Sequence, residues 1–248
     1  MDATLFASRF SSEKEIASDA HLEGKGLEPH SLSVIVEPLR KGDIWKGTET
    51  WNDAFIHDPM TNYVSDPNQD KTARRVITSA ALALWIETKQ SLTINHGEAL
   101  LISTPPEDIQ HPIHRRLDGV LGEFLRLLGR LGSAEGKKRV KEADAKIKLA
   151  VQEAIGDSAR DMWLVDLVCT NPQSQGSGYG SAMLDAIKAR LDLSGKSAWL
   201  TSSNVANDAF YNSHGFFSVA NDYLGDDNPK WDRKPVKVQI TPAPKGVV

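Results

Sequence analysis

Three alternate glycines near residue 180 restrict the fold of this chain more than any other feature. They stand in Gln175-Gly176-Ser177-Gly178-Tyr179-Gly180. Before them runs an apolar segment, Met162 to Thr170; after them comes a helical pattern, Ser181 to Leu191. Strand, glycine turn and helix in that order make an anion site of the α/β kind. Glycine lets backbone bend tightly and come close to a ligand. The first helical turn adds N–H groups without internal partners and the positive end of the helix dipole. A phosphate or pyrophosphate fits such a turn.

Two common owners of that turn are disfavoured. A P-loop requires G-x-x-x-x-G-K-[ST], whose lysine reaches the phosphates. Here no lysine is present, and Ser181-Ala182 follows. A dinucleotide fingerprint places G-x-G-x-x-G early in a βαβ unit. This turn spells G-x-G-x-G, puts Ser181 where the third glycine belongs, and comes late in the chain. A turn with no ligand is the remaining alternative.

The pattern Pro172-x-x-Gln175-x-x-Gly178-x-Gly180 resembles the acyl-CoA loop of the Gcn5-related N-acetyltransferases (GNAT). A second block, Asn204-x-x-Asn207-x-x-Phe210-Tyr211-x-x-x-Gly215-Phe216, resembles the family's downstream motif at its usual spacing. Asn207 departs from it, replacing a small apolar residue. The close match covers about residues 162–217, and the order of elements extends it back to about residue 31. The phrasing Cys169-Thr170-Asn171-Pro172 is similar to fungal members.

The resemblance implies an α/β (α+β) fold: a mixed central sheet of about seven strands flanked by helices, with a helical excursion between the third and fourth strands. It implies acetyl-CoA as co-substrate. Backbone groups of Val168, Cys169 and Thr170, on a fourth strand splayed from the fifth, would pair with pantetheine. Gln175, Gly176, Ser177, Gly178, Tyr179, Gly180 and Ser181 would hold the pyrophosphate, and Asn204 and Phe210 would complete the cofactor-binding set. Asn204 also suits a helix N-cap. Tyr211 would protonate the leaving thiolate. A phenol with an ordinary pKa near ~10 is protonated at neutral pH and suits that work; a Tyr merely packed beside Phe210 is the competing reading.

Acetyl acceptance by an amine with a pKa of about 10.4 requires the neutral form, at a cost of roughly 4.6 kcal/mol at pH 7. On a regular strand Asp166 shares a face with Leu164, Val168 and Thr170, which makes it a candidate base; a structural ion pair is the alternative. Glu98, Asp58 and His57 are weaker candidates. His111 and His114 flank Pro112, which spoils helical metal spacing, so no metal is expected. Cys169 reads as a small apolar core residue. Lys137, Lys138, Arg139 and Lys141 read as a solvated helix face or a 3′-phosphate contact.

Composition narrows the partners. The net charge of −4 over 248 residues carries no basic footprint for nucleic acid. A single cysteine excludes an internal disulfide. No apolar run approaches a membrane span, and the N-terminus lacks a secretory core, so a cytoplasmic location is expected. Nothing sets an oligomeric state.

The chain divides into a polar tail or arm at 1–30, with a short helix near Ser12–Glu15, and one domain at 31–248. Strands are expected at 32–37, 91–94, 99–103, 162–170, 197–202, 215–224 and 236–240. Helices are expected at 48–56, 71–88, 180–193 and 205–213. In the 71–88 helix, Val76, Ile77, Ala80, Leu84 and Trp85 form the buried side. Residues 107–160 form the helical excursion, with Leu117, Val120, Leu121, Phe124, Leu125, Leu128 and Leu131 as its apolar stripe, a break at Gly132-Ser133 and a second helix at 135–155. The acetyl-CoA core is 162–217. The expected activity is direct acetyl transfer from acetyl-CoA to an amine, the acceptor a small molecule, its pocket lined by 50–66, the 105–130 helices and the segment after Phe217. A CoA-binding sensor with little turnover is the alternative.

Overall fold

The computed structural model describes residues 34–65, 70–117, 119–120 and 133–243. The N-terminal tail, its short helix, and Leu121, Phe124, Leu125, Leu128 and Leu131 lie outside the described residues. No helix among the described residues is long and apolar enough to cross a membrane.

Seven strands form one mixed sheet: β1 (Glu37–Pro38), β2 (Gln90–Ile94), β3 (Ala99–Thr104), β4 (Trp163–Thr170), β5 (Ala198–Ser202), β6 (Ala220–Leu224) and β7 (Val236–Ala243). Their order is β1-β2-β3-β4-β5-β7-β6. Only β4 and β5 run parallel; the other neighbours are antiparallel. The helices are α1 (Ile44–Ala54), α2 (Pro59–Val64), α3 (Lys71–Thr88), α4 (Ala134–Ala154), α5 (Tyr179–Ser194) and α6 (Asp208–Ser213). This is the α+β architecture that the sequence implies, and α4 lies between β3 and β4.

One face of the sheet packs on α5. Met183, Leu184, Ile187 and Leu191 are buried there against Leu101, Trp163, Val165 and Leu200. Removing a Leu or Ile side chain from water contributes roughly 1.5–3 kcal/mol each, so this helix is fixed firmly behind β4 and β5. Gly195, left-handed at φ 62, closes α5. The opposite face packs Leu100, Ile102, Leu167 and Cys169 under Leu82 and partly buried Trp51, Phe55 and Trp85. A third cluster joins Tyr63, Ala143, Leu224, Val236 and Val238.

Several expected boundaries move. The first strand shrinks to Glu37–Pro38, and Pro38 lies inside it, paired with Leu92. Proline is tolerated because β1 is an edge strand. The first helix begins at Ile44, ahead of position 48, after a 3-10 turn at Lys41–Asp43. Asp58-Pro59 does not only end structure; Asp58 caps the unexpected α2, accepting the Thr61 N–H at 2.7 Å. Helix α3 has the expected ends and a different buried side: Thr78, Ala81 and Leu82 are buried, whereas Val76 is 63% exposed and Ala80 is exposed. The cause is α1, which meets α3 through Thr48···Ser79 at 2.9 Å and Thr78→Asn52 at 3.4 Å. Small polar residues allow that approach, and hydropathy alone misplaces the face.

In the excursion, residues 112–117 are helical, but Leu117 and Val120 are exposed. Ser133 caps α4 by accepting the Gly136 N–H. Arg139 is buried rather than part of a solvated run, while Lys137, Lys138 and Lys141 are exposed. The strand expected from 215 starts at Ala220. Gly215 is left-handed and the Phe216 N–H returns to the Tyr211 carbonyl at 3.0 Å, closing α6. The last strand is longer than expected, reaching Ala243.

Candidate active site

The parallel pair β4–β5 parts midway. Its register holds at Trp163↔Ala198, Leu164↔Trp199 and Val165↔Leu200, then stops. Beyond it β4 stays with β3 up to Thr170↔Ala99, while β5 stays with β7 up to Ser202↔Gln239. A wedge therefore opens between the two strands toward their C-terminal ends. The Asn171 N–H bonds the Glu98 carbonyl at 2.8 Å. Antiparallel pairs alternate between hydrogen-bonded and outward-facing residues, so Cys169 faces β3 and Val168 and Thr170 turn their N–H and C=O groups into the wedge. Buried backbone groups of that kind require partners, and two amide-bearing positions are on offer rather than three. The Thr170 carbonyl accepts from the Gln175 side chain at 3.4 Å.

The glycine turn stands at the end of β4. Gly176 (φ 84) and Gly178 (φ 79) hold left-handed backbone, which an L side chain takes at a cost of about 1–2 kcal/mol. A Cβ on either would meet nothing within 4 Å. Their surroundings are open; the backbone conformation, not crowding, selects glycine. Gly180 differs: its Cβ would lie 3.0 Å from the Phe210 ring. Gly178 caps α5, and the first helical bond runs from Ala182 N–H to Gly178 C=O at 3.0 Å. The N–H groups of Tyr179, Gly180 and Ser181 thus lack helical acceptors. Ser177 N–H turns back to the Ser174 carbonyl at 3.4 Å.

The β2–β3 hairpin braces this turn from behind. Glu98 accepts from Ser174 Oγ at 3.3 Å and from Lys46 Nζ at 2.8 Å. Asn95 donates to the Tyr179 hydroxyl at 2.8 Å. Hydrogen bonds from Lys46 and then Asn95 hold the Glu98 carboxyl below its ordinary range, which makes it a brace and a poor base. Asn95 (φ 47) and His96 (φ 54) share the positive-φ region with Gly97 (φ 112) in the hairpin turn.

Helix α6 closes the other side. Asn204 caps the short 3-10 turn before it by accepting the Ala206 N–H at 3.1 Å. Phe210 packs among Gly180, Tyr211 (centroids 5.4 Å apart, tilted) and His214 (5.0 Å, edge to face). His214 Nε2 meets Ser181 Oγ at 3.1 Å and its Nδ1 lies 3.5 Å from Asp185. That link between α5 and α6 escapes sequence reading, because 181, 185 and 214 carry no joint spacing. Tyr211 packs half-buried against the α5 core. Burial first, then the charges of Asp58 and Cys169, push its phenol up to about 12. Burial likewise pushes the Cys169 thiol up to about 12, as expected of an inert core cysteine. Beside Tyr211 a pocket of about 180 Å³ is lined by Asp208, Asn212, Phe217, Ser218 and Thr241. Thr241 Oγ1 is buried there without a protein partner; the space suits waters and is far too small for an acyl-CoA.

Asp166 does not share the face of Val168. The β3–β4 register jumps from Ile102↔Leu167 to Ser103↔Val165, which leaves Asp166 as the extra residue of a bulge. The bulge turns Val165 toward α5 and Leu167 toward α1, so strict alternation fails across it. The Asp166 carboxylate accepts from Lys89 Nζ at 2.7 Å and Thr104 Oγ1 at 2.7 Å. Lys89 sits at the end of α3, on the face away from the glycine turn. His57 is exposed. The rings of His111 and His114 lie 5.5 Å apart, and no group of three or more His, Cys, Asp or Glu is placed for a metal among the described residues.

Residues 140–217 match the family model described as an acetyltransferase (GNAT) domain. No curated protein matches by sequence. Among solved structures, the fold is similar to arylalkylamine N-acetyltransferase 2 from Aedes aegypti (TM-score 0.57, 13% identity, 85% of this chain and 98% of that one). It is similar to the Drosophila melanogaster polyamine N-acetyltransferase that forms N-acetylagmatine (TM-score 0.56, 13% identity, 84% and 98%). A histone acetyltransferase and related acetyltransferase from Corynebacterium glutamicum gives a TM-score of 0.51 at 20% identity, over 88% of this chain and 100% of that one. At these identities the structural likeness speaks for the fold.

Proposed function

We propose, for a chain that carries a GNAT acetyltransferase domain, that it passes the acetyl group of acetyl-CoA directly to an amine of a small molecule. The observation that carries this reading is the wedge: β4 leaves β5 after Val165↔Leu200, directly in front of a glycine turn and helix N-terminus. An extended arm with amide groups fits between the strands, held by Val168 and Thr170. Its pyrophosphate end meets the N–H groups of Tyr179, Gly180 and Ser181. Cys169 contributes packing only.

Catalysis then follows from placement. The amine nitrogen attacks the thioester carbonyl, the C–S bond breaks, and an amide and CoA form. The departing sulfur takes the Tyr211 phenolic proton, and the proton lost by the amine returns through water to the phenolate. Burial pushes the Tyr211 phenol up to about 12, so it is protonated at neutral pH and holds a proton to give. No acyl-enzyme is required, since positioning the two reactants alone contributes several kcal/mol. Asp166 is assigned to its pair with Lys89 and takes no part in proton transfer. The named insect neighbours act on arylalkylamine and polyamine acceptors, which supports a small amine as acceptor here.

Calorimetric titration with acetyl-CoA, followed by CoA release with a panel of amines, tests the reading. Micromolar binding with turnover supports it. Binding without turnover on any amine would replace it with a CoA sensor, and no binding at all would remove it.

A further inference from the structure

Asp58 stands at the open end of the wedge, and the CoA motifs assign it nothing. Its backbone is extended before α2, and its Oδ1 accepts the Thr61 N–H at 2.7 Å. Its Oδ2 accepts from Ser203 Oγ at 2.6 Å. Ser203 is the residue after β5, past the point where β5 and β4 have separated. Tyr211 is near enough to feel the carboxylate's charge. Asp58 is half-buried, yet among the described residues no Lys, Arg or His forms an ion pair with it.

Glu98, the carboxylate that braces the glycine turn, is by contrast neutralised by Lys46. Asp208, in the pocket beside Tyr211, accepts from the Gln239 side chain instead of a cation. A half-buried carboxylate without a cation is costly. Each Asp58 oxygen accepts one hydrogen bond and retains a further lone-pair site. We propose that Asp58 receives the ammonium group of the acceptor, so that the substrate class is amines that are cationic at neutral pH. This rests on the acetyl-transfer reading.

The charge does the selecting. A carboxylate is far too weak a base to take a proton outright from an alkylammonium. Asp58 therefore gathers and orients the charged amine, and the proton passes to water as attack begins. Its effect belongs in KM and in salt dependence. A neutral aromatic amine gains nothing from it.

Asp58→Asn isolates the charge, because Asn is as good a helix cap as Asp and, with its oxygen on the Thr61 N–H, its amide can donate to the Ser203 hydroxyl. The measurements are acetyl-CoA affinity, thermal midpoint, binding of 1,4-diaminobutane to the CoA-loaded protein, and KM and kcat for 1,4-diaminobutane and for an aniline. The expected result is a weakening of about tenfold or more in both binding and KM for the diamine. Acetyl-CoA affinity, thermal midpoint and the KM of the aniline stay within about threefold or unmoved. Unchanged diamine KM in Asp58→Asn, equal losses for diamine and aniline, or wild-type protein that binds acetyl-CoA but not the diamine would each overturn the inference and leave the CoA site standing. A wild type that fails to bind acetyl-CoA would instead overturn the acetyl-transfer reading, and this inference with it.

Discussion

The side of the domain proposed to face the donor and the side proposed to face the acceptor are built differently. The donor side is made of backbone: the wedge beyond Val165, the left-handed Gly176 and Gly178, and the first N–H groups of α5. The acceptor side is made of side chains that pin short elements together. Arg139, only 6% exposed, donates to Glu135 at 2.9 Å and to the Tyr63 and Lys230 carbonyls, and lies over the rings of Tyr63 (5.3 Å) and Trp231 (5.1 Å). Tyr63 donates to Glu142 at 2.6 Å, and Glu142 accepts the Gly225 N–H at 2.8 Å. One charged cluster thus holds α2, α4 and the loop between β6 and β7. A backbone site tolerates sequence change at all but its glycines; a side-chain site changes with every residue. On the proposed reading, donor chemistry is therefore the readable half, and acceptor choice is free to vary.

The hardest blow to this contrast falls on Arg139. Arg139→Ala removes a buried cation, strips two ring faces and the Tyr63 and Lys230 carbonyls of it, and leaves Glu135 with Asn228 and a longer contact to Lys230, an expected loss of about 3 kcal/mol in denaturant unfolding. Acetyl-CoA affinity of the protein that remains folded should stay within about threefold. If affinity fell in step with stability, the two sides would be one cooperative unit.

Gly178→Glu strikes the other side. It forces an L residue into φ 79 and brings a negative charge to the anion site, so acetyl-CoA affinity should fall about a hundredfold or more by calorimetry. Gly178→Asn, which tolerates the left-handed region, should lose much less. Equal affinity in Gly178→Glu and wild type would disprove the site.

Tyr211→Phe comes next. We expect kcat to fall about a hundredfold, with acetyl-CoA affinity unchanged, because the hydroxyl has no hydrogen-bond partner of its own among the described residues. Burial raises the phenol to about 12, so the acid form persists well above neutral pH. The wild-type rate should show no basic limb from Tyr211 below about pH 10. A wild-type kcat in Tyr211→Phe would refute the assigned role, whereas a limb near pH 8 that disappears in Tyr211→Phe would keep the role and overturn the raised phenol.

Legibility followed the same division. The glycine turn, Asn204, Phe210 and Tyr211 were readable because each sits at fixed spacing within one strand–turn–helix unit. Helix α3 was readable in extent and misjudged in face, because a neighbouring helix and not the sheet sets what Thr78 and Ala81 bury. Helix α2 is only six residues long, too short for any periodicity. The Asp58–Ser203 and Ser181–His214–Asp185 links join residues far apart in the chain. Only the folded sheet brings them together, and no local pattern records it.

The bulge at Asp166 supplies the smallest effect and the sharpest test of whether a side chain serves chemistry or scaffold. Period-two reasoning puts Asp166 with Val168; the extra residue in β4 puts it with Lys89 and Thr104. The side chains of this pair are 14% and 11% exposed, so the attraction is only partly screened. Asp166→Asn keeps an acceptor for Thr104, and Lys89 keeps the Trp85 ring at 5.0 Å. The expected cost is about 2 kcal/mol of stability, with kcat within about threefold of wild type and its pH profile unmoved. A general base would behave in the opposite way: stability nearly intact, kcat down about a hundredfold or more, and the acidic limb of the profile gone. The bulge favours the first outcome, since it puts the carboxylate on the α3 side of the sheet, away from the wedge in which the proposed reaction brings amine and thioester together.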